Sequence, residues 1–262
     1  MGNLSMSSKI SKASSEETNN LIFDLVVRRL ANSPLKIIDI GCGSGFLLNK
    51  LWDFYKSKGW SPDQYLSGID INLSSYASEA PAKEVDLNLP LIESIGSYDL
   101  ILCLEVLEHS RRPYTLLDDF YKMLNDNGEI ICSVPNIGNM NSRLKYLFKG
   151  GFQMYFGPSV EAKDAGKLSG HINPLPIQYW IYGLRTANFK NIQYFIDRRK
   201  NSSLGWLILL LPFMWLGNYL MHIDQKKYSF DLYVSNKEML SQVNSLKTLV
   251  GRTLIFVANK SR

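Results

Sequence analysis

Ile37-Ile38-Asp39-Ile40-Gly41-Cys42-Gly43-Ser44-Gly45 is the stretch on which the reading of this chain turns. The residues from Leu35 to Ile40 have the apolar, β-branched character of a short buried strand. The strand stops at Gly41-Cys42-Gly43-Ser44-Gly45, and Phe46 to Lys58 then follows a helical pattern. Glycines at such a turn let backbone approach a ligand closely, and the helix that follows offers free N–H groups. The spacing is G-x-G-x-G rather than the G-x-G-x-x-G of dinucleotide folds. No G-K-[ST] follows, which excludes a P-loop.

Outward from this turn, strand and helix patterns alternate. Upstream, Ser14 with Glu17 reads as a capping box, Leu21, Ile22, Leu25, Val26 and Leu30 share one helical face, and Asn32-Ser33-Pro34 ends the helix. Downstream, Tyr65 to Ile71 reads as a strand and Ser74 to Ala80 as a short helix. Tyr98 to Cys103 is a further strand, Pro113 to Leu124 a helix, and Asn125 to Gly128 a turn into the strand Glu129 to Val134. Mostly apolar strands, each followed by a helix, imply an α/β chain with a parallel sheet covered on both faces. Beyond Pro135 come a basic helix over Asn141 to Lys149, an irregular stretch from Gly150 to Gly170 and a helix over Pro176 to Ala187. Strands follow near Asn191 to Ile196 and at Thr253 to Ala258.

At 262 residues, 45% hydrophobic, 20% charged and 12% aromatic, the chain has ample material for a core and is neither disordered nor fibrous. Cys42, Cys103 and Cys132 are too few and too scattered for a disulfide framework, which fits a reducing compartment. The N-terminal residues lack the apolar core of an export signal, so the expected location is cytoplasmic. Met6 stands where a myristoylation motif needs Ser or Thr. The net charge of +5 is unevenly placed: residues 1–189 carry 18 Lys/Arg against 20 Asp/Glu, and residues 190–262 carry 11 against 4. The C-terminal part therefore suits an anionic partner or is a solvated basic face.

Asp70 ends the second strand, where a carboxylate accepts hydrogen bonds from a ribose diol in nucleotide-binding βαβ units, or else caps the next helix. Ile71 beside it offers apolar surface to an adenine face. Residues 37–45 resemble the first motif of class I S-adenosylmethionine-dependent methyltransferases, and Gly68-Ile69-Asp70-Ile71 resembles their second-strand acidic motif. Tyr98-Asp99-Leu100-Ile101 through Glu105-Val106-Leu107-Glu108-His109 resembles the fourth-strand segment of a bacterial subgroup. That subgroup holds ubiquinone-type O-methyltransferases and methyltransferases of surface-glycan pathways. Asn127-Gly128-Glu129 through Ser133-Val134-Pro135-Asn136 resembles its fifth strand and exit loop.

The resemblance implies a Rossmann-like, doubly wound seven-stranded sheet with an antiparallel last strand, and S-adenosyl-L-methionine as cofactor. It implies that Asp39 orders the glycine loop and that Gly41, Cys42, Gly43, Ser44 and Gly45 underlie the amino-acid end of the cofactor. Asp70 would bind the ribose, Asp86 and Leu87 would meet the adenine, and Leu104 and Glu105 would flank the methionine part. The acceptor would be a small molecule, a glycan, a lipid-linked glycan or a quinone-type lipid.

Methyl transfer from a sulfonium needs alignment, exclusion of water and, for a hydroxyl acceptor, a base. His109 and His171 are the candidates, His109 at the carboxyl edge of the sheet and His171 after the irregular stretch. His109 has the alternative of a loop-tethering or capping histidine, and His171 stands where the resembled subgroup often has a histidine on the substrate side. Tyr155, Phe156, Glu161 and Asp164 read equally as acceptor-pocket or loop residues, and Arg143, Lys145 and Lys149 as a basic strip beside that pocket or as a solvated helix face. No cluster has metal-ligand spacing, so no metal is expected.

From Asn201 to Ile223 there is no Asp, Glu, Lys or Arg across 23 positions, with basic residues on both sides. A single transmembrane span would separate the last strand from its own sheet. The segment instead reads as a helix broken at Pro212 lying against an anionic membrane at its inner face, or as a segment buried in a homodimer interface or packed over the domain as an insertion. The expected organisation is a helical extension at 1–34, the cofactor domain at 35–200, an apolar insertion at 201–250 and the last strand at 251–262. The alternative function is a non-catalytic cofactor-binding or scaffold protein. A dehydrogenase is disfavoured by the glycine spacing, and no nucleic-acid module or base-flipping motif occurs.

Overall fold

The computed structural model describes residues 16–30, 33–91, 96–155 and 170–261. Ser14, Asn32, Phe156, Glu161 and Asp164 lie outside them, as does most of the irregular stretch. Seven strands form one sheet: β1 (Ile37–Ile40), β2 (Leu66–Asp70), β3 (Ala82–Glu84), β4 (Tyr98–Leu104), β5 (Leu124–Pro135), β6 (Lys190–Ile196) and β7 (Thr253–Asn259). Their order is β3-β2-β1-β4-β5-β7-β6, with β7 antiparallel to both neighbours and the other pairs parallel. This is the α/β Rossmann-like sheet with its antiparallel last strand.

The central strands are apolar on both faces because each face has its own core. Ile37, Leu100 and Leu102 point to one side, where they meet Ile22 and Val26 of α1 (Glu16–Arg29), Leu30 just beyond it, and Leu48 and Leu51 of α2 (Phe46–Ser57). Ile38, Ile101 and Cys103, one residue out of phase, meet Phe120 of α4 (Pro113–Met123) and Trp180 of α6 (Ile177–Thr186) on the other. A short helix α3 (Pro62–Tyr65) leads into β2. β2 and β4 lie on opposite sides of β1, so the chain reverses direction there and leaves a crevice at the carboxyl ends of the strands.

Three local expectations are corrected. Ser74 to Ala80 is not a helix: Asp70 and Asn72 side chains accept the backbone N–H groups of Asn72 and Ser74, and Ala77 N donates to Ser44 O. Such side-chain bonds compete with a helix, and Pro81 opposes one just beyond. Asn125 to Gly128 is absorbed into β5 as an irregularity, with Asn127 at φ 61°. The apolar helix does not break at Pro212.

That helix is α7 (Asn201–Tyr228), which with α8 (Phe230–Val243) and α9 (Leu246–Val250) fills the connection from β6 to β7. Leu207, Leu210, Leu211 and Met214, on both sides of Pro212, pack with Leu249 and Val250 and hold the two halves in line. The ends of the connection are clamped together, since Lys200 N donates to Val250 O at 2.8 Å and Arg252 N to Arg198 O at 3.2 Å. Arg143, on α5 (Met140–Lys149), is not part of a solvated face. It donates to Gly138 O, Val243 O and Asn244 Oδ1, stapling α5 to the end of α8.

Candidate active site

The crevice is a cavity of about 400 Å³, within the usual size range of small-molecule sites. Gly41 and Gly43 form one wall, at φ 75° and 52°. A Cβ on Gly41 would stand 2.2 Å from Val106 Cγ2, so the bare backbone is a steric requirement. Gly41 N and Cys42 N both donate to Ile69 O, folding the loop over the end of β2. Asp70 Oδ2 accepts from Gly43 N at 2.8 Å and Oδ1 from Asn72 N at 3.1 Å. A carboxylate has about four acceptor positions, so each oxygen retains capacity toward the cavity. Ile71, 40% exposed, lies beside it.

Asp86 and Leu87 line the same cavity. Asp86 Oδ1 accepts from both the backbone and side-chain nitrogens of Asn88, while Oδ2 has no hydrogen bond among the described residues. Leu104 and Glu105 form the wall at the end of β4. Glu105 is held at φ 56° by its N–H, which donates to Ser133 O, and its Oε1 accepts from Ser133 Oγ. Burial pushes its carboxyl up to about 7, against the Ser133 hydrogen bond, with Asp197 adding to the rise.

Four expected residues stand behind the loop rather than on the cavity. Asp39 is buried beneath it, and burial, reinforced by the charge of Asp70, pushes its carboxyl up to about 7. Cys42 points into the core against Gly68 and Leu48, and burial raises its thiol. Ser44 is buried, with its carbonyl accepting from Ala77 N. Gly45 is the left-handed N-cap of α2, where a Cβ would meet Ser78 and Tyr76. These four shape the loop and do not line the cavity.

The fold brings His109 and His171 together at the cavity wall, their ring centroids 4.6 Å apart and edge to face. His109 Nδ1 lies 3.0 Å from Gly170 O. A carbonyl only accepts, so Nδ1 carries the proton and Nε2 the lone pair. Burial holds the His109 imidazole below its usual pKa, against the Gly170 bond. His171 is also lowered, by burial and then by His109. Tyr155 packs edge-on to His171 and donates its hydroxyl to Asn173 O.

Beneath the pair sits Glu108, fully buried, with neither carboxyl oxygen hydrogen-bonded among the described residues. Its Oε1 is 3.9 Å from His171 Nε2. Burial, then the neighbouring Glu105, drives its carboxyl well above the carboxylate range. Ligand atoms of Glu108, His109 and His171 lie within 4.8 Å of one another, a donor set of the kind that can hold a divalent cation. The spacing along the chain conceals this grouping, because His171 arrives on a separate segment.

A methyltransferase domain family matches residues 15–194. The chain belongs to this family. Among curated relatives, this methyltransferase is 28% identical over 131 residues to a ubiquinone biosynthesis O-methyltransferase of Rickettsia conorii, covering 47% of this chain and 44% of that protein. A protein of the same description from Pseudomonas entomophila is 25% identical over 131 residues, covering 46% and 53%. The chain spans about half the length of the curated relatives it matches. Its fold is similar to a SAM-dependent methyltransferase of Archaeoglobus fulgidus, with TM-score 0.50 at 15% identity, covering 92% of this chain and 94% of that one. It is also similar to phosphoethanolamine N-methyltransferase 2 of Haemonchus contortus in complex with S-adenosyl-L-methionine, with TM-score 0.51 at 12% identity, covering 92% and 53%. The chain is a class I S-adenosylmethionine-dependent methyltransferase domain.

Sequence reasoning missed several residues around the methyltransferase cavity. Thr18 of α1 lines it and donates to Asp197 Oδ2, so the N-terminal helix takes part in the site. Asp197 also accepts from Thr253 N, joining the ends of β6 and β7 beside Arg252, another lining residue. Only the tertiary fold could reveal these. Glu108 carried a usable signal, since an acid at this point of an apolar run needs a partner if buried.

Proposed function

We propose that this methyltransferase transfers a methyl group to a hydroxyl oxygen of a small-molecule acceptor, in the cytoplasm. The acceptor class is a glycan, a lipid-linked glycan or a quinone-type lipid. The observation that carries the reading is His109, a neutral imidazole with Nδ1 tied to Gly170 O on the wall of the cavity. Similarity to ubiquinone biosynthesis O-methyltransferases supports oxygen as the acceptor atom.

Asp70 would take the ribose diol through its remaining acceptor positions, and Ile71 and Leu87 would face the adenine. Asp86 Oδ2 would accept from the adenine amino group. Gly41 gives the amino-acid end room to approach backbone, while Glu105 and the buried Asp39 supply negative charge near the cationic methionine part. When bound there, S-adenosylmethionine would supply a methyl group on a sulfonium, whose thioether leaving group needs no further activation. His109 Nε2 would take the proton of the acceptor hydroxyl as that oxygen receives the methyl group, with S-adenosylhomocysteine as the leaving product. His171 packs edge-on to His109 and holds its ring in place.

Incubation with methyl-labelled S-adenosylmethionine and bacterial lipid or glycan extracts tests this. Label should enter an alkali-stable ether in the acceptor. His109→Ala should lower turnover about a hundredfold with cofactor affinity unchanged. Undiminished transfer in both His109→Ala and His171→Ala would refute the base assignment.

A further inference from the structure

α7 has 28 residues, about 42 Å of helix. It is long and apolar enough to cross a membrane, yet along it only Ser203 and Leu207 are buried. One side packs on the domain through Leu207, Leu210, Leu211 and Met214. The rest is open: Ile208, Phe213 and Trp215 are 70%, 71% and 71% exposed. Leu147 and Phe148, at the end of α5, are exposed as well. Phe148 and Trp206 line one groove, which makes the two helices a continuous apolar surface of the kind that marks an interaction site.

The surroundings select the occupant. A transmembrane course conflicts with the fold, because both ends of the connection are clamped and β7 lies inside the sheet. A second copy of this surface is disfavoured by charge. Arg199 and Lys200 precede α7 and Lys226 and Lys227 sit in its last turn, so pairing in either direction places cations beside cations. An anionic bilayer suits both ends at once, with Trp206, Trp215 and Tyr219 near the headgroups.

We propose that α7 and the end of α5 dock in the plane of an anionic lipid bilayer, with the groove between them admitting a headgroup phosphate. Lys145 and Lys149 line that groove with Phe148 and Trp206, and Met154 lines both the groove and the active-site cavity. Lys200 is held below its usual pKa by burial and by Lys145, a crowding of cations that an anion relieves. The groove thus adjoins the active-site cavity at Met154. This inference rests on the exposed surface and stands apart from the identity of the acceptor.

Flotation of the full chain with phosphatidylcholine vesicles, with and without about one-third phosphatidylglycerol, tests it. The expected result is at least about tenfold more protein floating with the anionic vesicles, falling as salt rises. Phe213→Glu with Trp215→Glu should abolish flotation while S-adenosylmethionine binding, read by calorimetry, is retained. Lys145→Glu with Lys149→Glu should weaken it. Protein that stays at the bottom of the gradient with anionic vesicles overturns the proposal, and an α7-dependent dimer by sedimentation would then identify a second copy as the occupant. Equal flotation with neutral vesicles also overturns it.

Discussion

Asp39 and Glu105 reach about 7 chiefly because burial penalises their charged forms. A cationic ligand beside them reverses that penalty, so S-adenosylmethionine binding near neutral pH should release protons and tighten as pH rises from 6 to 8. Calorimetry in two buffers of different ionisation enthalpy would read the release, and Glu105→Gln should reduce it. Without ligand the sign for stability is opposite. Carboxyls with raised pKa bind more protons folded than unfolded, so their contribution is fully present below the unfolded value of about 4 and is lost as pH rises through 7. His109 and His171, lowered by burial, oppose this below their unfolded pKa, where the unfolded chain binds the extra protons. Thermal melts of Asp39→Asn should therefore show a shallower decline between pH 5 and 7 than the parent chain.

At the scale of elements, the glycine loop and the α5 staple make the clearest predictions. Gly41→Ala places a Cβ 2.2 Å from Val106 at φ 75° and should abolish cofactor binding while costing about 2–4 kcal/mol of stability. Val106→Ala added to it should restore only part, since the positive φ remains; chemical denaturation measures both. Arg143→Ala removes a guanidinium bonded to Gly138, Val243 and Asn244 and should cost about 2–4 kcal/mol by the same assay. The core strands were legible because Ile37 and Ile38 serve opposite faces, which leaves an unbroken apolar run in the sequence. The segment after Asp70 was not, because Asn72 and Ser44 redirect its backbone through bonds that periodicity cannot register. Pro212 likewise reads as a breaker until the packing on both sides of it is known.

Over the whole molecule, the cofactor side of the cavity comes from contiguous motifs, and the side with the two histidines is assembled across the chain. Asp70 and Gly43 could be singled out because strand, turn and helix carry them in one local unit. The approach of His171 to His109 and Glu108, and of Asp197 to Thr18, depends on how distant segments meet. Of the 11 Lys/Arg in residues 190–262, Arg198, Arg199, Lys200, Lys226 and Lys227 flank or end α7, whereas Arg252 lines the cavity with the glycine loop. The central claim is that the glycine loop and Asp70 hold S-adenosylmethionine. Titration calorimetry of the full chain with the cofactor, with Asp70→Ala and a nicotinamide cofactor as controls, tests it most directly. Saturable binding that disappears in Asp70→Ala of unchanged melting behaviour, with no response to the nicotinamide, is the result predicted. No binding by the folded wild-type chain, or equal binding by the variant, would contradict it.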